Sequence, residues 1–266
     1  MMALVKQAEE FYGWMIEKGD PRVDDWLLMK TPFPIIVIFF AYIGLVIFGP
    51  KIMKNQSPFN LKWILVPYNF FCVGLSAYMF YEFVVTSVMS GYSYICQPVD
   101  YSQSPLALRM ASVCWWFFFS KVIELLDTAF FILRKKTEQI SFLHVYHHCT
   151  MIMNWWLGVK YVAGGQSFFV AMLNSFVHII MYTYYGCAAI GPHMQKYLWW
   201  KRYLTRLQLL QFILFVVHTT TNLLVECDYP QGYNIAVFIY AISLIILFGN
   251  FYYKSYVAKR TQSKKD

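Results

Sequence analysis

The feature that most limits what this chain can fold into is a series of apolar runs, at about 34–50, 63–88, 108–133, 141–160, 167–190, 205–225 and 234–253. Each is near the ~20 residues that a helix needs to cross roughly 30 Å of hydrocarbon. A water-soluble domain can bury many aromatics, but it cannot hide several runs of that length. Charge agrees: charged residues make up 14% of the 266, against about a quarter in soluble domains. Aromatics reach 20%, with 21 Tyr and 9 Trp, which suits rings seated at the headgroup level. The expected fold is therefore an all-α polytopic membrane protein of seven transmembrane helices. Run 141–160 carries three His and is the weakest, so six spans is the fallback. No Gly/Ser-rich or Pro-rich linker divides the runs, which predicts a single membrane domain over 1–266. No internal repeat is evident, which weakens a transporter reading.

The net charge is +8. In a membrane protein such an excess collects in cytoplasmic loops and meets anionic lipid. No nucleic-acid module is visible, so no nucleic-acid partner is expected. The first 30 residues hold Glu9, Glu10, Asp20, Asp24 and Asp25 without an apolar core, so they read as a polar lead-in and not as a signal peptide. Lys51, Lys54 and Lys62 fall between spans 1 and 2, Arg134, Lys135 and Lys136 between 3 and 4, and Lys196, Lys201 and Arg202 between 5 and 6. The basic tail 254–266 holds Lys254, Lys259, Arg260, Lys264 and Lys265. Segments 89–104 and 226–233 carry no Lys or Arg. This pattern predicts a cytosolic C-terminus and a luminal lead-in, although Lys6, Lys18, Arg22 and Lys30 dilute it. Cys72, Cys114, Cys149 and Cys187 lie within spans and read as small apolar fillers. Cys96 and Cys227 fall in the two bare loops, both on the oxidising side. A Cys96–Cys227 disulfide is expected, with two free thiols as the alternative.

Polar groups inside spans are costly and mark function by default. Here they are concentrated. QISFLHVYHH places His144, His147 and His148 at helical spacing on one face. NSFVHIIMYTYY does the same for Asn174, His178 and Tyr182, with a polar seam joining helices as the alternative. KVIELLDT holds Lys121, Glu124, Asp127 and Thr128; Lys121 and Glu124 share a face, and the acids suit holding imidazoles in one tautomer. An internal salt bridge plus an interfacial Asp127 is the plainer alternative. Thr205, Gln208, Gln211 and His218 share roughly one face of span 6, as tunnel lining or as structural packing.

Two chemistries fit the His cluster. A single zinc with three His and a water would hydrolyse amides or esters. Against it, neighbours His147 and His148 diverge by about 100° on a helix. HxxHH also resembles a box of the di-iron membrane desaturases, which need more His than the six present. Metal-free acyl transfer is the other option and the preferred one, so no metal ligands are expected. Neutral imidazole is a nucleophile near pH 7, and a neighbouring His can act as base. No Cys stands beside these His to take the role. A seven-span receptor fits the topology, but His-rich polar seams suit chemistry better.

The four motifs KVIELLDT, QISFLHVYHH, NSFVHIIMYTYY and TRLQLLQ, in this order, resemble the four signatures of the family called elongation of very-long-chain fatty acids. The resemblance runs from about Asp25 to Tyr256. GYSYICQPVDYS, QKYLWWKRYLT, Gln139 and Tyr146 look most similar to members that handle very-long-chain and polyunsaturated substrates. The resemblance implies seven helices, six of them forming an inverted barrel around a closed-ended acyl tunnel. It implies a very-long-chain 3-oxoacyl-CoA synthase, which joins acyl-CoA to malonyl-CoA and releases CoA and carbon dioxide, with no cofactor. It implies endoplasmic reticulum residence, partner reductases and dehydratase of the same cycle, and a homodimer. By matching position, His147 would carry the acyl group, His178 would lie beside it, and His144, His148 and Asn174 would support them. Lys121, Glu124 and Asp127 would shape the cytosolic mouth, and Tyr182, Gln208 and Gln211 would face substrate. Arg134, Lys135, Lys136, Lys201 and Arg202 are candidates for CoA phosphates. Lys264 and Lys265 stand one place off a dilysine retrieval signal.

Overall fold

The computed structural model describes residues 2–258; Lys259, Arg260, Lys264 and Lys265 of the basic tail lie outside the described residues. The regular structure among the described residues is all helical, with no strand among them. The lead-in contains a helix, α1 (Met2–Glu17), and a short 3₁₀ turn at Pro21–Val23. There follow α2 (Phe33–Ile52), α3 (Lys62–Met89), α4 (Pro105–Ile123), α5 (Leu126–Leu133), α6 (Phe142–Val162), α7 (Ser167–Ile190), α8 (Lys201–Leu224) and α9 (Gln231–Tyr252). Local signals explain where they begin. Pro105 opens α4 with Ser104 as its cap, the hydroxyl accepting from the Ala107 N–H at 3.2 Å. Ser141 caps α6 in the same way, accepting from the His144 N–H at 3.3 Å.

A helix covers every apolar run, but not uniformly. Five helical stretches are long and apolar enough to cross a membrane: Phe33–Asn55, Lys62–Met89, Ser167–Ile190, Lys201–Leu224 and Gln231–Ala258. The chain is thus a multi-pass membrane protein. Of the two remaining runs, 108–133 carries Arg109, Lys121, Glu124 and Asp127, and 141–160 carries three His and Lys160. Run 108–133, expected as one span, is divided between α4 and α5. The ladder tightens to i→i+3 bonds there, from Leu125 to Val122, Asp127 to Glu124 and Thr128 to Leu125. Such a stretch within a helix often marks strain or function, and here it turns Glu124, Asp127 and Thr128 into the interior.

Packing is pairwise and extensive. α3 lies against α7 and α4, α4 against α6, α6 against α9, α9 against α8, and α8 against α7; α2 rests on α5 and α6. Phe83, Phe117, Phe118, Trp156 and Phe168 are enclosed between them. Lipid is as apolar as these side chains, so close packing and hydrogen bonds hold the bundle more than burial does. At Gly186 on α7 an added Cβ would come within 3.2 Å of the Phe70 ring on α3.

The loops sort to two ends. At one, Cys96 and Cys227 are disulfide-bonded, with Cα atoms 5.6 Å apart. Beside them Gln166 accepts from the Gln97 N–H and donates to the Ile95 carbonyl. Arg22 is buried there against Asp20 and donates to the carbonyls of Asp100 and Ser102, and Lys160 pairs with Asp24. Arg22, read above as a loop charge that dilutes the topology signal, is thus enclosed and paired. The Ser102 backbone N–H and its side chain hold the Asp100 carboxyl below its usual range. Gly165 (φ +55°) turns the chain between α6 and α7, where a Cβ would press to 2.8 Å from Val99. At the other end Lys135 donates to the Lys54 carbonyl and the Phe59 N–H to Leu133.

Candidate active site

The first two turns of α6 carry His144, His147 and His148. Their rings lie 4.3 Å apart for His144–His148 and 5.5 Å for His147–His148, centre to centre. α7 faces them with Asn174, His178 and Tyr182, all buried. The tightened α4–α5 junction supplies the third wall.

At that junction Lys121 and Glu124 pair at 2.8 Å, both almost fully enclosed. The same Glu124 oxygen lies 3.2 Å from His178 Nδ1. Lys121 also donates to Asn174 Oδ1 at 3.3 Å and stands 4.4 Å above the Phe117 ring. Asn174 in turn donates to Gln211 Oε1 at 3.3 Å. Two buried charges are tolerable only when paired and hydrogen-bonded, and this network does both. A consequence for His178 is orientation: its Nδ1 is held on Glu124, which leaves Nε2 for the interior. Further along, Tyr182 donates to Asp127 at 2.9 Å. Thr128 Oγ1 lies 2.7 Å from His144 Nε2 and 3.0 Å from the Tyr42 hydroxyl of α2.

Two cavities meet at this cluster. A polar chamber of ≈ 210 Å³ is lined by the acids Glu124 and Asp127, all three His of α6, and His178. Tyr182, Lys201, Thr205, Gln208 and Gln211 complete its polar wall. An apolar cavity of ≈ 120 Å³ runs among Met151, Trp155, Phe215, Tyr240 and Leu244. His147, Asn174 and Phe212 line both. Beyond the apolar cavity lies a small polar pocket with Gln166, His218, Thr219 and Asn234. Gln166 and His218 are 2.8 Å apart there. Among the described residues no side chain or carbonyl engages either ring nitrogen of His147.

The chain matches the model of the ELO (GNS1/SUR4) family over residues 27–264. It belongs to that family. Very long chain fatty acid elongase 4 of Macaca mulatta and of Homo sapiens are each 53% identical to it over 247 residues, 93% of this chain and 79% of theirs. Very long chain fatty acid elongase 7 of Rattus norvegicus is 49% identical over 256 residues, 95% of this chain and 91% of its own.

In this ELO chain some expected site residues are placed differently from the sequence reading. Lys121 lines neither cavity; it stands behind Glu124 and Asn174, not at a mouth. Of the five basic residues considered for CoA, Lys201 lines the chamber. Arg134, Lys135, Lys136 and Arg202 line neither cavity; Arg202 lies over the Tyr203 ring at 5.4 Å. His218 is separated from the Gln208–Gln211 stretch and belongs to the far pocket. The sequence reading passed over Tyr42, although it is the only polar side chain in run 34–50. It also passed over the ring wall of Phe131, Tyr184, Tyr185 and Phe251, whose inward faces no periodicity singles out.

Proposed function

We propose that this ELO-family chain catalyses the condensing step of fatty acid elongation, joining a long or very long acyl-CoA to malonyl-CoA. One observation carries the proposal: the polar chamber and the apolar cavity meet at His147. An acyl-CoA has the same division, a polar reactive thioester and a long apolar chain. Its carbonyl would sit at the junction, the chain in the apolar cavity and CoA in the chamber.

His147 attacks the thioester carbon through a free imidazole nitrogen. A C–N bond forms, the C–S bond breaks, and CoA leaves as the thiol with the imidazole proton. The acyl-imidazole keeps the reactivity of the thioester. Malonyl-CoA then enters the chamber and loses carbon dioxide. Its C2 electron pair attacks the acyl carbon, the N–C bond breaks, a proton from solvent returns to the released His147 nitrogen, and 3-oxoacyl-CoA results. His178, oriented by Glu124, faces the reacting carbons through Nε2. His144, His148 and Asn174 hold the geometry around His147, and Tyr182, Gln208 and Gln211 contact the CoA arm. Lys201 meets a CoA phosphate from the chamber wall, while Arg134, Lys135, Lys136 and Arg202 attract the anionic substrate from outside it. The reaction needs no cofactor. Zinc hydrolysis is less well supported, because no three His, Cys, Asp or Glu among the described residues are placed to hold one ion.

The pairwise helix contacts support a ring of six helices, α3, α4, α6, α9, α8 and α7, with α2 outside it. The bare, disulfide-linked loops would face the lumen of the endoplasmic reticulum and the basic loops the cytosol. The 3-oxo product suits a reductase and then a dehydratase as the next enzymes.

The deciding experiment is intact mass of the purified protein after incubation with a long acyl-CoA alone. The expected result is a gain of one acyl group, absent in His147→Ala and discharged by malonyl-CoA. Product formed without any adduct would replace the covalent route with a ternary complex. No adduct and no 3-oxoacyl-CoA would overturn the assignment.

A further inference from the structure

α2 carries a single polar side chain within its apolar run, and that side chain is tied to the site. Tyr42 is 3% exposed, and its hydroxyl lies 3.0 Å from Thr128 Oγ1. Thr128 is fully enclosed, and the same oxygen lies 2.7 Å from His144 Nε2. Among the described residues neither hydroxyl has another hydrogen-bond partner.

Counting protons sets the direction of this chain. Two hydroxyl hydrogens and one ring nitrogen share two contacts. If Tyr42 donates to Thr128, then Thr128 donates to His144 Nε2, and both hydrogens are used. Nε2 is then a lone pair, so the ring proton sits on Nδ1. In the reverse order His144 donates to Thr128 and Thr128 to Tyr42. The Tyr42 hydrogen is then buried without an acceptor; if Thr128 instead accepts from both neighbours, its own hydrogen is, and either costs that group its full desolvation. An imidazolium at His144 would likewise leave one of the two hydroxyl hydrogens without an acceptor.

We propose that Tyr42 and Thr128 are positioning residues that hold His144 neutral with its proton on Nδ1, so that it donates a hydrogen bond to the carbonyl oxygen of the acyl group on His147. His144 lines the chamber and lies one helical turn from His147 on the same face. The proposal rests on the condensation reading for the identity of the acceptor, but the tautomer stands on the hydrogen bonds alone. It gives α2 a role in a reaction that it does not touch.

The test uses full-length protein labelled with ¹⁵N-histidine in lipid nanodiscs. His144→Gln identifies the His144 signals by their loss. The expected wild-type spectrum has a protonated Nδ1 and an unprotonated Nε2 at His144. Tyr42→Phe is expected to mix the two tautomers and lower kcat about tenfold, and Thr128→Val to lower it about a hundredfold. KM for acyl-CoA is expected within about twofold of wild type in both. Thr128→Ser restores both the spectrum and kcat. A protonated Nε2 in the wild type overturns the proposal whether or not any variant folds. So does a Tyr42→Phe protein with wild-type tautomer and kcat. A wild type that shows the expected tautomer but makes no 3-oxoacyl-CoA would sink the condensation reading instead.

Discussion

At the scale of single residues, this site depends on which atoms are left free. Glu124 serves two cations or would-be cations at once, Lys121 at 2.8 Å and His178 Nδ1 at 3.2 Å. Glu124→Ala leaves the Lys121 ammonium buried without its partner, which costs about 3–5 kcal/mol. The double change Lys121→Met with Glu124→Leu removes both charges. Its melting temperature is expected to return near wild type in a fluorescence-detected thermal assay, while 3-oxoacyl-CoA formation stays lost because His178 is no longer oriented. Recovery of activity along with stability would mean that the pair is only structural. His147→Ala is expected to lower turnover about a thousandfold or more with little change in melting temperature, since its ring makes no hydrogen bond among the described residues. Much of this cluster is legible in the sequence, because 3.6-residue periodicity alone puts 144, 147 and 148 on one face and 174, 178 and 182 on another. Which atom meets which is not legible. Those distances depend on how neighbouring helices dock, and a lone tyrosine such as Tyr42 looks like ordinary membrane composition.

At the scale of elements, hydropathy and local signals locate the helices but not their irregularities. Polar residues in α6 and in the α4–α5 run depress apolarity below what length and composition demand of a span. The i→i+3 tightening at 125–128 has no Gly or Pro to announce it. It arises where buried charges must reach α7, a tertiary demand that no local pattern carries. The start of α6 is the opposite case. Ser141 is a readable cap, and its acceptor role is to the backbone of His144 itself. Ser141→Ala is expected to destabilise the protein by about 1 kcal/mol. It should also reduce acyl loading more than a comparable cap deletion at Ser104, because only the first shifts the His turn. Equal effects on loading from the two variants would argue that the α6 cap has no link to chemistry.

At the scale of the whole molecule, alternation of spans was enough to bring segments 89–104 and 226–233 to one side. The pairwise contact between α6 and α9 was not legible, since neither helix announces its partner. The bond between Cys96 and Cys227 spans 131 residues of chain. Cys96→Ser is expected to lower stability by about 2–4 kcal/mol, with Cys227→Ser and the double variant giving the same loss. A double variant twice as unstable would mean that the two sulfurs act separately.

That end of the bundle is stitched by a covalent bond, by the enclosed ion pair Asp20–Arg22 and by the pairing of buried Lys160 with half-exposed Asp24. The ties at the opposite end include single hydrogen bonds such as Lys135 to Lys54. The fold is therefore a sock, sewn at the toe and loose at the cuff. Breathing should grow along the axis, and amide exchange should run faster near residues 53–61 and 134–141 than near 93–100 and 163–166. On the proposed condensing role, an acyl chain slid in from the cuff would come back out the same way, tail last, so the time it takes to withdraw should lengthen with every pair of carbons added.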